Sequence, residues 1–260
     1  MELLVIGLAA CLVSGLTLFS GFGLGTVLTP VFALFFPVTL AVAATAVVHF
    51  ANNLFKFGLM ARLADWRVVV RFSLPAALTA FIGAGLLSWF DHLPVLFRYA
   101  VGGDTHDITV VKAVIGALII AFSLLELSPR FQALAFPPRY LLWGGLLSGF
   151  FGGLSGNQGA FRSAFLIKAG LSKEAFVATG AVSAVIVDAV RLGVYGVAFL
   201  AEHFARSQEL MAPVAVGMAF AFLGALLGKR LLRQITLRTV QLVVAAMMLL
   251  VGAGLVVGLI

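Results

Sequence analysis

Ser20-Gly21-Phe22-Gly23-Leu24-Gly25 sets three glycines at alternating positions inside a run that carries no charged residue between Glu2 and Lys56. Leu3 to Phe36 as one straight helix would run about 50 Å at 1.5 Å per residue, against a hydrocarbon core of about 30 Å. The run therefore has to break, and the glycines offer the place. A related stretch recurs at Gly152-Gly153-Leu154-Ser155-Gly156-Asn157-Gln158-Gly159. Two such interruptions, one in each half of 260 residues, organise everything read from the chain around them.

The surrounding composition excludes a soluble globular domain. Residues are 62% hydrophobic and only 10% charged, where soluble domains carry roughly 25% charged residues. Mean hydropathy is +1.16. At about 20 residues per crossing there is room for about six to eight transmembrane helices. Long Leu, Ala, Val and Phe runs favour helices over barrel strands, which would alternate polar and apolar in short segments. The single cysteine, Cys11, excludes an intramolecular disulfide and a cysteine-based metal cluster. A net charge of +7 reads as basic cytoplasmic loops, not as a nucleic-acid surface.

Charge decides between two topologies. If 3–36 and 140–170 each cross once, the basic residues split six against eight, which favours neither side. If both are hairpins, one face gathers Arg62, Arg67, Arg71, Arg130, Arg139, Lys168, Lys173, Lys229, Arg230, Arg233 and Arg238. The other keeps Arg98, Lys112 and Arg206. Eleven against three is a strong positive-inside bias, so the hairpins are preferred and both termini are expected outside.

The halves also align. At an offset of 134 residues Ser14-Gly15 falls on Ser148-Gly149, Gly25 on Gly159, and Ala44-Thr45 on Ala178-Thr179. With one residue of slip, Asn53-x-x-Lys56-x-Gly58 falls on Asp188-x-x-Arg191-x-Gly193. Each half holds a hairpin and three crossings, an odd number, so the second half is expected upside down. The expected class is an all-α polytopic membrane protein of two inverted repeats. The first spans 1–127, with a hairpin at 3–36 and helices at 40–60, 68–90 and 110–127. A cytoplasmic linker, 128–139, leads to the second at 140–260, with a hairpin at 140–170 and helices at 174–200, 210–228 and 236–259. Inverted repeats with interrupted helices at corresponding positions are the signature of secondary transporters, which bind substrate near the midplane.

Each break leaves backbone N–H groups free at the start of its second arm, around Gly25-Thr26 and Gln158-Gly159, where the helix dipole attracts anions. Adjacent amides such as Asn157 and Gln158 need polar partners at membrane depth. Three cations and one carboxylate, Lys56, Arg162, Arg191 and Asp188, fall within the expected spans, where such groups are costly. Arg191 follows Asp188 by three residues, so the two are expected to form a charge pair, or Asp188 to carry a coupling proton. Lys56 either snorkels to the inner face or joins the site. Arg162, with no acid near it in sequence, is the best single anion ligand, since a guanidinium binds an oxyanion with two hydrogen bonds. His49, Asn52, Asn53 and Lys56 follow i, i+3, i+4, i+7 spacing and form one polar stripe, which faces the interior or a water-filled path. The candidate substrate-binding set is thus Gly25, Thr26, His49, Asn52, Asn53, Lys56, Asn157, Gln158, Gly159 and Arg162. Gly15, Gly149 and Gly152 fit helix packing better than binding.

An enzyme reading has less behind it. Gly153-Leu154-Ser155-Gly156 matches the nucleophile motif of intramembrane serine proteases, but the base would have to be His203, the one histidine after Ser155. Metal and cofactor sites find no paired His or acidic cluster.

The glycine motifs resemble the TauE/SafE sulfite exporter family, also called the toluene-sulfonate uptake permease family. The resemblance covers nearly the whole chain. Its pieces are Gly21 to Gly25 with Pro30, then Ala41 to Thr45; and Gly153 to Gly159, then Ala175 to Thr179. It implies a transporter of organosulfur or related anions, such as sulfite, sulfoacetate or thiosulfate, in the bacterial inner membrane, with export the implied direction. The chain departs from the family pattern at Asn157-Gln158-Gly159, where a Gly-Gly-Gly run is common, and at Ala164, which stands where Pro30 would repeat. The expected function is therefore alternating-access transport of a small anion, coupled to protons if Asp188 titrates. A passive anion channel on the same repeat is the alternative. No cofactor and no nucleic-acid partner are expected beside the bilayer and the substrate.

Overall fold

The computed structural model describes residues 1–16, 24–196, 204–231 and 237–260, without the side chains of 16, 204–208 and 228–241. The first glycine stretch up to Gly23, and His203, lie outside the described residues. Among those residues the chain is helical except for one small hairpin. The helices are α1 (Glu2–Leu16), α2 (Leu24–Ala33), α3 (Val38–Met60), α4 (Trp66–Asp91), α5 (Val110–Leu127), α6 (Pro129–Gln132), α7 (Leu141–Ser155), α8 (Gly159–Leu166), α9 (Lys173–Tyr195), α10 (Phe204–Leu231) and α11 (Leu237–Val256). Among the described residues five stretches are long and apolar enough to cross a membrane: Val38–Leu63, Trp66–Asp91, Val110–Leu127, Lys173–Tyr195 and Glu209–Leu227. Shorter apolar helices cover Glu2–Gly15, Leu24–Ala33 and Leu242–Val256. The protein is an all-α membrane protein.

Local chemistry fixes where the helices begin. Asp65 caps α4, accepting from the N–H groups of Arg67 (2.9 Å) and Val68 (3.1 Å). Ser172 caps α9 through the Ala175 N–H, and Thr109 caps α5 through that of Lys112. Each side chain satisfies a donor that has no partner within its helix. Gly156 ends α7 in the left-handed region, φ +82°, a conformation only glycine adopts without cost.

Both short helices run back beside their predecessors. The Phe165 ring near the end of α8 lies against Gly144 near the start of α7, and the Phe136 N–H donates to the Ala164 carbonyl. On the other side of the molecule Glu2, at the start of α1, lines one cavity with Phe35 and Phe36, just past the end of α2. The longer helices pack in pairs: α4 on α7, α1 on α10, α3 on α9, and α5 on α11. The last pair is antiparallel, since Gly116 faces Gly252 and Ser123 donates to the Ala245 carbonyl.

Glycine sets how close these pairs come. A Cβ placed on Gly145, Gly149 or Gly153 of α7 would fall 2.2, 2.0 and 2.2 Å from the carbonyl oxygens of Phe72, Ala76 and Ala80 on α4. Gly83 of α4 meets the Phe150 carbonyl in the same way. Lipid offers no hydrophobic drive for helices to associate, so such backbone-to-backbone approach is the main source of attraction. Packing is thus the role the structure gives Gly149. Gly152 sits under the Gln158 side chain.

A β-hairpin not anticipated from the sequence joins α4 to α5. Strands β1 (Phe97–Val101) and β2 (Asp104–Ile108) pair antiparallel about Gly102-Gly103. Both glycines have positive φ, as a two-residue hairpin turn requires. Arg98 donates to both carboxylate oxygens of Asp107, at 2.5 and 2.8 Å, and these hydrogen bonds hold the Asp107 carboxyl below the usual carboxylate range. The Tyr99 hydroxyl donates to the Val257 carbonyl, so the hairpin is fastened over the end of α11. The segment read as a linker also contains α6, capped by Ser128.

The α4–α7 contact is testable by size alone. Gly149→Val should lower the stability of the detergent-purified protein by about 1–3 kcal/mol, the usual range for overpacking. Gly85→Ala, which meets no atom within 4 Å, should leave the melting temperature unchanged or slightly raised.

Candidate functional site

The two interruptions approach each other. A Cβ on Gly25, in the first turn of α2, would lie 2.7 Å from the carbonyl oxygen of Gly156, in the turn between α7 and α8. The start of α2 therefore meets the second break with no side chain of either glycine between them, and the Thr29 hydroxyl and the Arg191 guanidinium lie close to Gly156. The Thr29 hydroxyl donates to the Gly25 carbonyl at 3.0 Å, and Thr26 is buried. Gly25 thus acts as a point of helix contact, a role not foreseen when its N–H was considered as an anion donor.

Beside the tips, α3 and α9 cross with a buried charge network between them. Asp188 and Arg191 have no solvent exposure and His49 only 3%. One Asp188 oxygen, Oδ1, accepts from Arg191 Nε at 2.9 Å and Gln158 Nε2 at 2.9 Å. The other, Oδ2, lies 2.6 Å from His49 Nδ1. Arg191 Nη2 adds an ionic contact of 2.8 Å, and its Nη1 donates to the Gly152 carbonyl at 3.2 Å. A cation at that point also complements the negative end of α7. The Tyr195 hydroxyl donates to the next carbonyl, that of Gly153. Three elements are tied by one carboxylate: α3 through His49, the second break through Gln158, and α9 itself. The charge pair expected from the three-residue spacing is formed, and the structure adds His49 and Gln158 to it.

Arg162, half-buried, extends the network from Gln158 toward α9. Its side chain crosses Gly180 of α9, and Nη1 donates to Gln158 Oε1 at 3.3 Å. Among the described residues no carboxylate makes a salt bridge with it; Asp188 acts on it only through its field. Lys56, half-buried near the end of α3, lies within electrostatic reach of Arg162. Gln158 therefore stands between the satisfied ion pair and the guanidinium, bonding Asp188 with its nitrogen and Arg162 with its oxygen.

The remaining candidates divide. Asn53 turns back on its own helix, with Nδ2 donating to the His49 carbonyl at 2.9 Å and lying 3.2 Å from both ring nitrogens. Asn52 accepts from the Ser14 hydroxyl at 3.2 Å, while among the described residues its Nδ2 has no hydrogen-bond partner. Asn157 donates to the Ser155 hydroxyl at 3.0 Å, while among the described residues its Oδ1 has none. Each amide is buried, at 1% and 2% exposure, and unused polar atoms this deep point to a ligand or water. Gly159 opens α8 beside them. The Ser155 hydroxyl, considered as a nucleophile, donates to the Phe151 carbonyl of its own helix.

The sequence reading missed two groups. Glu126, counted with neither the loops nor the intramembrane charges, is buried near the end of α5, and among the described residues neither carboxyl oxygen has a hydrogen-bond partner. A lone acid inside an apolar run was the available signal. Thr45, noted only as part of an alignment, is buried with its hydroxyl unpartnered.

The network predicts a non-additive response to mutation. Arg191→Gln strands the Asp188 carboxylate and should destabilise by about 3–5 kcal/mol. Asp188→Asn combined with Arg191→Gln should cost less than the two single losses summed, read by thermal unfolding of the four proteins.

Compared with known proteins, the chain matches no curated protein and no solved structure. It does match the family profile described as sulfite exporter TauE/SafE, over residues 3–255. With this match along almost its whole length, the chain belongs to the sulfite exporter TauE/SafE family of membrane transporters.

Proposed function

We propose that this protein carries a small sulfur-containing oxyanion, of the sulfite or sulfonate type, across the bacterial inner membrane by alternating access. The observation that carries the reading is Arg162. The one carboxylate in the network, Asp188, is already engaged by Arg191, His49 and Gln158. The guanidinium of Arg162 has Gln158 as its hydrogen-bonded partner among the described residues. A half-buried cation whose nearest acid is committed elsewhere is completed by an anion. Lys56 supplies a second positive charge, and the free amide atoms of Asn52 and Asn157 supply orientation. The starts of α2 and α8, at Leu24 to Thr26 and at Gly159, add positive helix ends.

The paired helices support an inverted repeat of 1–127 and 140–260 joined by the linker 128–139. Exchanging α1 with α7, α3 with α9, α4 with α10 and α5 with α11 turns the α4–α7 contact into α10–α1. It returns α3–α9 and α5–α11 to themselves and turns α4–α9 into α10–α3. Under this reading the two halves rock about the α3–α9 crossing and expose Arg162 to alternate sides. The basic-residue distribution favours termini on the periplasmic side, and the family's description as an exporter favours outward movement.

Ligands that bind only the folded state raise its melting temperature with concentration. The purified protein should be stabilised by sulfite, thiosulfate or sulfoacetate and not by acetate or taurine, and Arg162→Ala should abolish the shift. Stabilisation by none of these anions, or an unchanged shift in Arg162→Ala, overturns the assignment. In proteoliposomes, accumulation against a concentration gradient is expected, an outcome a passive channel cannot produce.

A further inference from the structure

We propose that His49 is a proton-binding site coupled to the anion site, taking up one proton at Nε2 for each anion bound. The inference rests on the anion reading above and goes beyond it by naming the coupling group. Among the described residues, the charged groups acting on His49 are Asp188, Arg191 and Arg162. Asp188 and Arg191 come from α9 and Arg162 from α8. The other helices packed on α3, namely α2, α4, α5 and α10, contribute none to that set. Lys56 stands two turns along the same stripe of α3.

Nδ1 of His49 lies 2.6 Å from the Asp188 carboxylate and donates its proton there, which leaves the Nε2 lone pair as the ring's one protonation point. Imidazole is the side chain that changes charge near neutral pH in ordinary surroundings. Among the described residues the Asn53 amide nitrogen lies across the ring, 3.2 Å from both nitrogens, and is held there by the His49 carbonyl. Protonation at Nε2 gives an imidazolium that keeps the Asp188 carboxylate at Nδ1. Before an anion arrives, Arg191 and Arg162 outnumber Asp188, and a further positive charge is opposed. An anion at Arg162 removes that excess, and the proton then enters. Linkage makes the effect reciprocal: the proton strengthens anion binding by the same factor that the anion strengthens proton binding.

The experiment is calorimetric titration of the purified full chain with sodium methanesulfonate and with sodium sulfate, in two buffers of different ionisation heat, between pH 5.5 and 8. Neither probe takes up a proton in that range, so any uptake belongs to the protein. Uptake approaching one proton per anion is expected, with affinity rising up to about tenfold per unit fall in pH. His49→Gln should bind at the weak, high-pH affinity throughout, without uptake. A His92→Gln/His106→Gln/His203→Gln variant, which leaves His49 as the sole histidine of the four, should show its ¹⁵N signals moving from neutral imidazole to imidazolium on anion addition. This last measurement needs no change at His49. Anion binding without proton uptake, imidazole signals that stay neutral, or uptake that survives in His49→Gln and vanishes in Glu126→Gln would overturn the proposal while sparing the anion site. Binding of no oxyanion by the wild type would overturn the anion reading and the proposal together.

Discussion

A carboxylate at membrane depth is tolerated when its oxygens are all engaged, and Asp188 meets that condition with donors from three directions. The cost of removing one ion from water is several kcal/mol even after relaxation. That cost makes the arrangement around Asp188 all-or-none: His49, Gln158 and Arg191 must be in place together. Their positions in turn fix the crossing of α3 with α9 and the angle at which the second break leaves α7. Arg191 also reaches the Gly152 carbonyl, so the ion pair holds the end of α7 as well as the side of α9.

The helices that flank this centre are held by different physics. Along α4 and α7, glycines let backbones approach until no side chain separates them, and dispersion over that contact replaces the hydrophobic drive that lipid removes. Polar bonding at that seam is sparse, with the Thr79 hydroxyl donating to the Leu146 carbonyl at 2.8 Å. The molecule therefore combines close-packed, largely apolar seams at its flanks with a charged crossing at its middle. Under the proposed transport reading, the flanks supply rigidity and the crossing supplies the element that responds to ligand.

Much of this was legible in the chain because lipid imposes such simple terms. Long apolar runs have few alternatives to helices, so the all-α membrane class followed from composition and run length. The Asp188–Arg191 contact was legible because three residues on one helix bring side chains together whatever the fold. His49 was harder: its partner lies 139 residues away, and no local spacing can reveal which stripe of α3 meets which stripe of α9. The stripe itself was visible, its partner was not. The β-hairpin went unread although Gly102-Gly103 marks its turn, because its strands are five residues each and lack clean alternation. Glu126 went unread because it sits one residue from the end of an apolar helix, where an acid ordinarily reaches water. Gly25 was read for its N–H, and no local pattern showed that its missing Cβ also admits the Gly156 carbonyl.

The contact between Gly25 and Gly156 has a mechanical meaning beyond its closeness. Interlocked side chains resist sliding, because each must leave one rotamer well and find another before the surfaces can pass. Gly25 and Gly156 bring no such teeth of their own, but the Thr29 hydroxyl and the Arg191 guanidinium close in on Gly156. Under the proposed transport reading the bearing and the lock of this molecule therefore share a part: the guanidinium that pairs with Asp188 also abuts the point where the two elements meet, and a change in charge at one is felt at the other.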